Sequence, residues 1–201
     1  EQEEESWRVE GKDVVGSSKA ELRNLREDIQ FIFQDPYSSL NPRLRAEDIV
    51  AEPLISLKGL KKQDIGERIE ELFQSVGLRS EQRRLFPHQF SGGMRQRIVL
   101  ARALAVKPIF LILDESVAAL DLRIQSQILE LLSEIQKNRS LAFLFISHDL
   151  DVIHAVCDRV LVMKNGKIIE EGSTDEVFNS PVDSYTKLLL ASRPGKLNFA
   201  S

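Results

Sequence analysis

The sequence predicts an α/β protein built around a parallel sheet, and three observations carry that expectation. Ile109 to Leu113 and Leu141 to Ile146 are short, wholly apolar runs, as expected of strands covered on both sides. Between them, Ile124, Ile128, Leu131, Leu132 and Ile135 recur at helical spacing across Arg123 to Lys137. Strand, helix and strand in that order imply a βαβ unit with a right-handed crossover.

The remaining elements follow along the chain. Glu21 to Asp28 is highly charged, and Ile29 to Phe33 then reads as a short strand halted at Gln34-Asp35-Pro36. From Leu40 to Lys107 the pattern is helical, with Ile65, Ile69, Leu72 and Phe73 on one face. Ser91 suits an N-cap for a helix running through Leu104 and stopping before Pro108, with Arg95 and Arg97 on its solvated face. Asp149 to Val156 is a short helix. Arg159 to Met163 and Lys167 to Glu170 flank Asn165-Gly166, a strong signal for a tight hairpin. Ser173 and Glu176 form a capping box for a helix around Asp175 to Asn179.

Composition excludes several classes. The 201 residues carry a formal charge of −4, with 42% hydrophobic and 29% charged residues, which fits a globular chain rather than a collagen or a disordered polymer. No apolar run approaches the roughly 18–20 residues that cross a bilayer. The acidic opening, Glu1 to Glu5, is not that expected of a secretory leader. Cys157 is the single cysteine, which excludes an internal disulfide, fits a reducing compartment and suits a small core residue. Mild acidity argues against a nucleic-acid partner.

Four segments carry chemistry. Asp114 and Glu115 end an apolar strand, at the sheet edge where α/β proteins bind ligands. There one carboxylate can serve a metal shell while the next polarises an attacking water; an ordinary acidic turn reads the same way. Ser91-Gly92-Gly93 opens a helix whose bare N–H groups and dipole suit a phosphate, although a flexible loop before a surface helix has the same composition. Ser147-His148-Asp149 follows the strand from Leu141. His148 is placed to reach a phosphate or a water, whereas a Ser147 nucleophile lacks the Gly-x-Ser-x-Gly turn it would need, so Ser147 is read as a cap. Gln34 closes the strand from Ile29.

Taken together, Gln34, Ser91-Gly92-Gly93, Asp114-Glu115, Ala119-Leu120-Asp121 and His148 resemble, in order and spacing, an ABC-transporter ATPase across about Arg8 to Ser192. The phrases Phe31 to Pro42, Pro87 to Arg97 and Ser184 to Leu189 resemble the branch that imports oligopeptides, dipeptides, microcin-type or nickel-type cargo. The resemblance implies a RecA-like P-loop NTPase core with a parallel sheet plus an α-helical subdomain. Residues 1–34 would be the remainder of the N-terminal core and β subdomain. Residues 35–107 would be the helical subdomain with the signature motif. Residues 108–201 would be the core with Walker B, D-loop, switch histidine and C-terminal hairpin and helices. It further implies ATP and Mg²⁺ as cofactors, Glu115 as general base and His148 as switch histidine. Asp114 and Gln34 would serve the metal, while Gln34, Ser91, Gly92, Gly93, Met94 and Asp121 face nucleotide. Implied partners are transmembrane permease subunits, a second ABC ATPase subunit and, indirectly, a substrate-binding protein, at the cytoplasmic face of the cell membrane.

The sequence departs from this pattern in three places. No Gly-x-x-x-x-Gly-Lys-Ser/Thr run precedes Gln34: Gly11-Lys12 is followed by Asp13, Gly16 to Lys19 has the wrong order, and Trp7 falls too late to be the adenine-stacking aromatic. An N-terminally truncated chain is the simplest expectation, and a P-loop-less interaction module the alternative. Met94 replaces a frequent Gln. Ser116-Val117-Ala118 replaces a Pro-containing turn whose φ would have been pinned. Without the P-loop N–H nest and lysine, these 201 residues alone are expected to bind MgATP weakly or not at all. Micromolar affinity in a titration would overturn that.

Overall fold

The computed structural model describes residues 8–9, 12–35, 39–117, 120–138 and 141–193. Trp7, Gly11, Pro36 to Ser38 and Ala118-Ala119 lie outside the described residues. The chain divides between Leu144 and Phe145 into two compact units, each described by itself.

In the first unit, β1 (Arg8–Val9) and β2 (Lys12–Asp13) pair antiparallel. The charged stretch that gave no helical expectation is α1 (Lys19–Asp28). Its start is a capping box: Ser18 Oγ accepts from Glu21 N–H, and the Glu21 carboxylate accepts from Ser18 N–H at 2.8 Å. The helix runs straight into β3 (Ile29–Ile32).

The helical insertion holds α2 (Ala46–Ser56), α3 (Gly66–Ser75) and α4 (Gly92–Leu104). Ile65, Ile69, Leu72 and Phe73 are all buried, as their spacing required. Along α4, Ile98, Val99, Leu100, Ala101, Ala103 and Leu104 are buried almost all round. Arg95 and Arg97 are not the solvated face expected of them. Arg95 donates to the Pro87 carbonyl at 2.8 Å, and Arg97 donates to the Val76 carbonyl at 2.6 Å, where α3 ends. Gly77 follows with φ +70, and a Cβ there would sit 2.7 Å from Arg97 Nη1. The positive φ is what calls for glycine at that position.

β4 (Phe110–Asp114) pairs parallel with β3, from Ile29 opposite Phe110 to Ile32 opposite Leu113. α5 (Leu122–Asn138) connects it to β5 (Ala142–Ile146), and the sheet order is β3-β4-β5. The expectation that both apolar runs are covered on both sides is only half met. Leu111 and Leu113 are buried, yet Leu144 is 37% and Ile146 46% exposed. An apolar run fixes hydrophobicity; it does not fix how many layers cover a strand.

In the second unit, α6 (Leu150–Val156) begins at the N-cap Asp149, whose carboxylate accepts from Asp151 and Val152 N–H. Ser147 is a cap one step earlier, accepting from Asp149 N–H at 2.9 Å. β6 (Arg159–Lys164) and β7 (Lys167–Ser173) form the expected antiparallel hairpin. Asn165 at φ 50 and Gly166 at φ 76 supply the two positive-φ positions of a type I′ turn. The Ser173–Glu176 capping box opens α7 (Thr174–Asn179), and Asp183 caps α8 (Ser184–Ala191). Beyond α8, Arg193 pairs with Asp151 and stacks over the Phe178 ring at 5.5 Å, tying that end to α6 and α7.

Among the described residues no helix is long and apolar enough to cross a membrane. Burial, helped by the Asp158 charge, pushes the Cys157 thiol up to about 11. A raised folded-state value means the fold holds this proton more tightly than the unfolded chain does. Its contribution to stability is complete below the unfolded thiol's pKa and is lost as pH rises from there through 11. Alkylation of Cys157 at mildly alkaline pH is expected to run at least about tenfold slower than that of a free thiol. Equal rates would place the thiol in solvent.

Candidate functional site

The parallel register decides what meets at the carboxyl edge of the first unit's sheet. Ile32 lies opposite Leu113, so Gln34, two residues on, emerges beside Asp114 and Glu115. Gln34 Nε2 donates to Glu115 Oε2 at 2.7 Å, linking residues far apart in sequence. Glu115 sits at φ +43, a left-handed conformation that favours glycine and costs a non-glycine residue roughly 1–2 kcal/mol. Ser116 and Val117, which follow it, are buried, with 4% and 3% exposure. Leu120 N–H donates to the Val117 carbonyl at 3.2 Å.

A second cluster forms where two helices begin. Ser91 caps α4 by accepting from Met94 N–H at 3.4 Å. Asp121 caps α5 by accepting from Ile124 N–H at 3.0 Å. The two starts are adjacent: Leu120 and Ile124 are the side chains facing Gly92 and Gly93. The resemblance puts Ser91, Gly92, Gly93, Met94 and Asp121 among the nucleotide-facing residues, with Leu120 inside the Asp121 motif, and it does not point to Ile124. The available signal was Asp121 itself, a preferred N-cap residue just before the apolar-periodic run that starts at Ile124, which puts Ile124 in the first turn. Ala119 lies outside the described residues.

His148 belongs to the second unit, exposed in the turn between β5 and α6, bracketed by the capping residues Ser147 and Asp149. The structure thus joins Gln34, Asp114 and Glu115 at one edge, and Ser91 to Met94 with Asp121 at another place in the first unit. Hard oxygen donors predominate in the first group, as suits a divalent cation that completes its shell with phosphate oxygens. Among the described residues no group of three or more His, Cys, Asp or Glu side chains could hold a metal by itself.

A family model for the ABC transporter matches residues 1–118. The dipeptide transport ATP-binding protein DppF of Lactococcus lactis subsp. cremoris is 48% identical over 186 residues, covering 92% of this chain and 60% of that protein. The oligopeptide transport ATP-binding protein OppF of Bacillus subtilis is 46% identical over 92% of this chain and 61% of its own length. The di/tripeptide transport ATP-binding protein DppF of Pseudomonas aeruginosa is 43% identical over 94% of this chain and 58% of its own. The chain spans about 60% of the length of these relatives. The solved structure of CbiO1 from Clostridium perfringens, described as part of the ABC transporter complex CbiONQ, superposes with a TM-score of 0.76. It is 31% identical, over 86% of this chain and 67% of that one.

Removing the α5 cap tests the second cluster directly. Asp121→Ala is expected to cost about 1 kcal/mol of unfolding free energy in urea titration. Asp121→Asn, which keeps an acceptor oxygen, should recover most of it, and equal losses in both variants would show that the cap carries no weight.

Proposed function

The chain belongs to the ABC transporter family, and on that premise we propose that it is the ATP-binding and ATP-hydrolysing subunit that energises import of peptides or similar small cargo. The fold is α/β of the RecA-like ABC kind, a parallel sheet with helices. The observation that carries the proposal is the Gln34–Glu115 hydrogen bond at the sheet edge that also ends in Asp114. The cargo class rests on the relatives, whose names are those of dipeptide and oligopeptide transport proteins.

In this reading Glu115 is the general base. Its Oε2 accepts the proton of the water that attacks the terminal phosphate, and Gln34 Nε2 orients that carboxylate. Asp114 and Gln34 would hold Mg²⁺, which would neutralise charge developing on the transferred phosphoryl group. His148, in the second unit, takes the switch-histidine role that the resemblance assigns to it. Ser91, Gly92, Gly93 and Met94, with Asp121 beside them, face ATP held by a second ABC ATPase subunit. The α4 N-terminus supplies N–H groups and positive dipole there. The stretch from Gln34 to Pro53 meets the transmembrane permease subunits, and a substrate-binding protein acts through them. The chain would then work as a peripheral protein on the cytoplasmic face of the membrane.

Glu115→Gln, introduced into the native gene, tests the reading. ATP-dependent uptake of labelled di- and oligopeptides should fall at least about tenfold, equivalent to roughly 1.4 kcal/mol of barrier, with protein level unchanged. Undiminished uptake would remove both the base and the cargo assignment.

A further inference from the structure

Two glycines in sequence at a helix start suggest one shared purpose, close approach of a ligand to the backbone. The structure separates them. Gly92 is exposed, and a Cβ there would meet only Leu120 Cδ2 at 3.9 Å, an ordinary contact. Gly93 is buried, and a Cβ there would overlap the Ile124 Cγ2 methyl, with Ile124 Cβ and Cδ1 each at 3.6 Å. Its φ is not positive, so backbone freedom is not what requires glycine. What requires it is the space taken by the first turn of α5.

Ile124 has a second tie. Its backbone N–H donates to Asp121 Oδ1 at 3.0 Å, so one residue grips the α5 cap with its main chain and fills the gap above Gly93 with its side chain. We propose that Ile124 is a positioning residue: it locks the Ser91–Met94 turn and Asp121 into one fixed arrangement, so that displacement of either helix start is transmitted to the other. The functional meaning of this brace rests on both segments facing nucleotide, as proposed above; the brace itself does not.

The offending methyl offers a sharp test, because Cγ2 exists only through branching at Cβ. Leucine carries the same atoms without it. The wild-type chain, Gly93→Ala, Ile124→Leu and the double variant are compared by thermal unfolding and by amide shifts in ¹H–¹⁵N spectra. Gly93→Ala should lower Tm by roughly 3–10 °C, as overpacking does in a chain this size. It should move the amides of Ser91 to Met94 and of Asp121 to Gln125 together. Gly93→Ala with Ile124→Leu should recover at least about half of both effects, the additivity failure expected of residues in contact. No recovery, or shifts confined to Gly93's own turn, would overturn the brace.

Should Gly93→Ala fail to fold, Ile124→Ala alone decides. Amide exchange at Met94 should then quicken at least about threefold, and unchanged exchange there would overturn the proposal. Peptide uptake with the same variants in the native gene reads the positioning role. Restored shifts without restored uptake would mean Gly93 is also needed by the ligand, and would overturn that role. A wild-type gene that supports no peptide uptake would sink the functional reading while leaving the spectra to judge the brace.

Discussion

The parallel pairing of β3 with β4 is the constraint on which the proposed chemistry depends. Register places Ile32 opposite Leu113, and a slip of one residue would carry Gln34 about 3.3 Å along the sheet and turn it to the other face. Two things resist a slip. Ile109 N–H donates to the Asp28 carbonyl at 2.9 Å at the strands' entry. Ile32, Leu111 and Leu113 are buried at 1% exposure or less, while Phe31 and Phe33 stack on each other in the open, 5.2 Å between centroids. Shifting by one would exchange those faces and place Phe31 where Ile32 packs.

Glu115 shows which term dominates at the edge. Its left-handed backbone costs roughly 1–2 kcal/mol, and a neutral-to-charged hydrogen bond such as that from Gln34 returns about 1.5–3 kcal/mol before solvent competes for it. Exposure of Gln34 reduces that return further. The conformation is therefore held by its buried neighbours, Leu113 before it and Ser116 and Val117 after it, each under 5% exposed. The core fixes where the carboxylate stands, and the glutamine only sets how it points.

Much of this was legible in sequence where a residue's neighbours are local. The hairpin at Asn165-Gly166, the boxes and caps at Ser173, Ser91 and Ser147, and the buried face of α3 all depend on spacing within a few residues. What was not legible depends on distance in the fold. Arg97 reaches the Val76 carbonyl across 21 positions, so helical periodicity put it in solvent. α1 escaped notice because, among ten residues, none is buried; its charges carry no apolar stripe, and only the Ser18–Glu21 box announced it. Ile124 looked like one more rung of α5, since nothing local says its methyl faces a glycine some thirty residues earlier.

The adjacency of two helix starts raises an electrostatic problem that the capping residues resolve unequally. Each N-terminus carries about half a positive charge, and two side by side repel. Neither α4 nor α5 has an acidic residue in its first turn to offset this. The Asp121 carboxylate neutralises the α5 end while making its cap hydrogen bond. Ser91, at the α4 end, caps with a neutral hydroxyl and leaves the positive end in place. Of the two juxtaposed ends, only that of α4 therefore retains an unspent attraction for an anion, and it is the end where exposed Gly92 leaves the backbone open. The asymmetry in capping, aspartate against serine, is what would direct a phosphate to one helix and not to its neighbour.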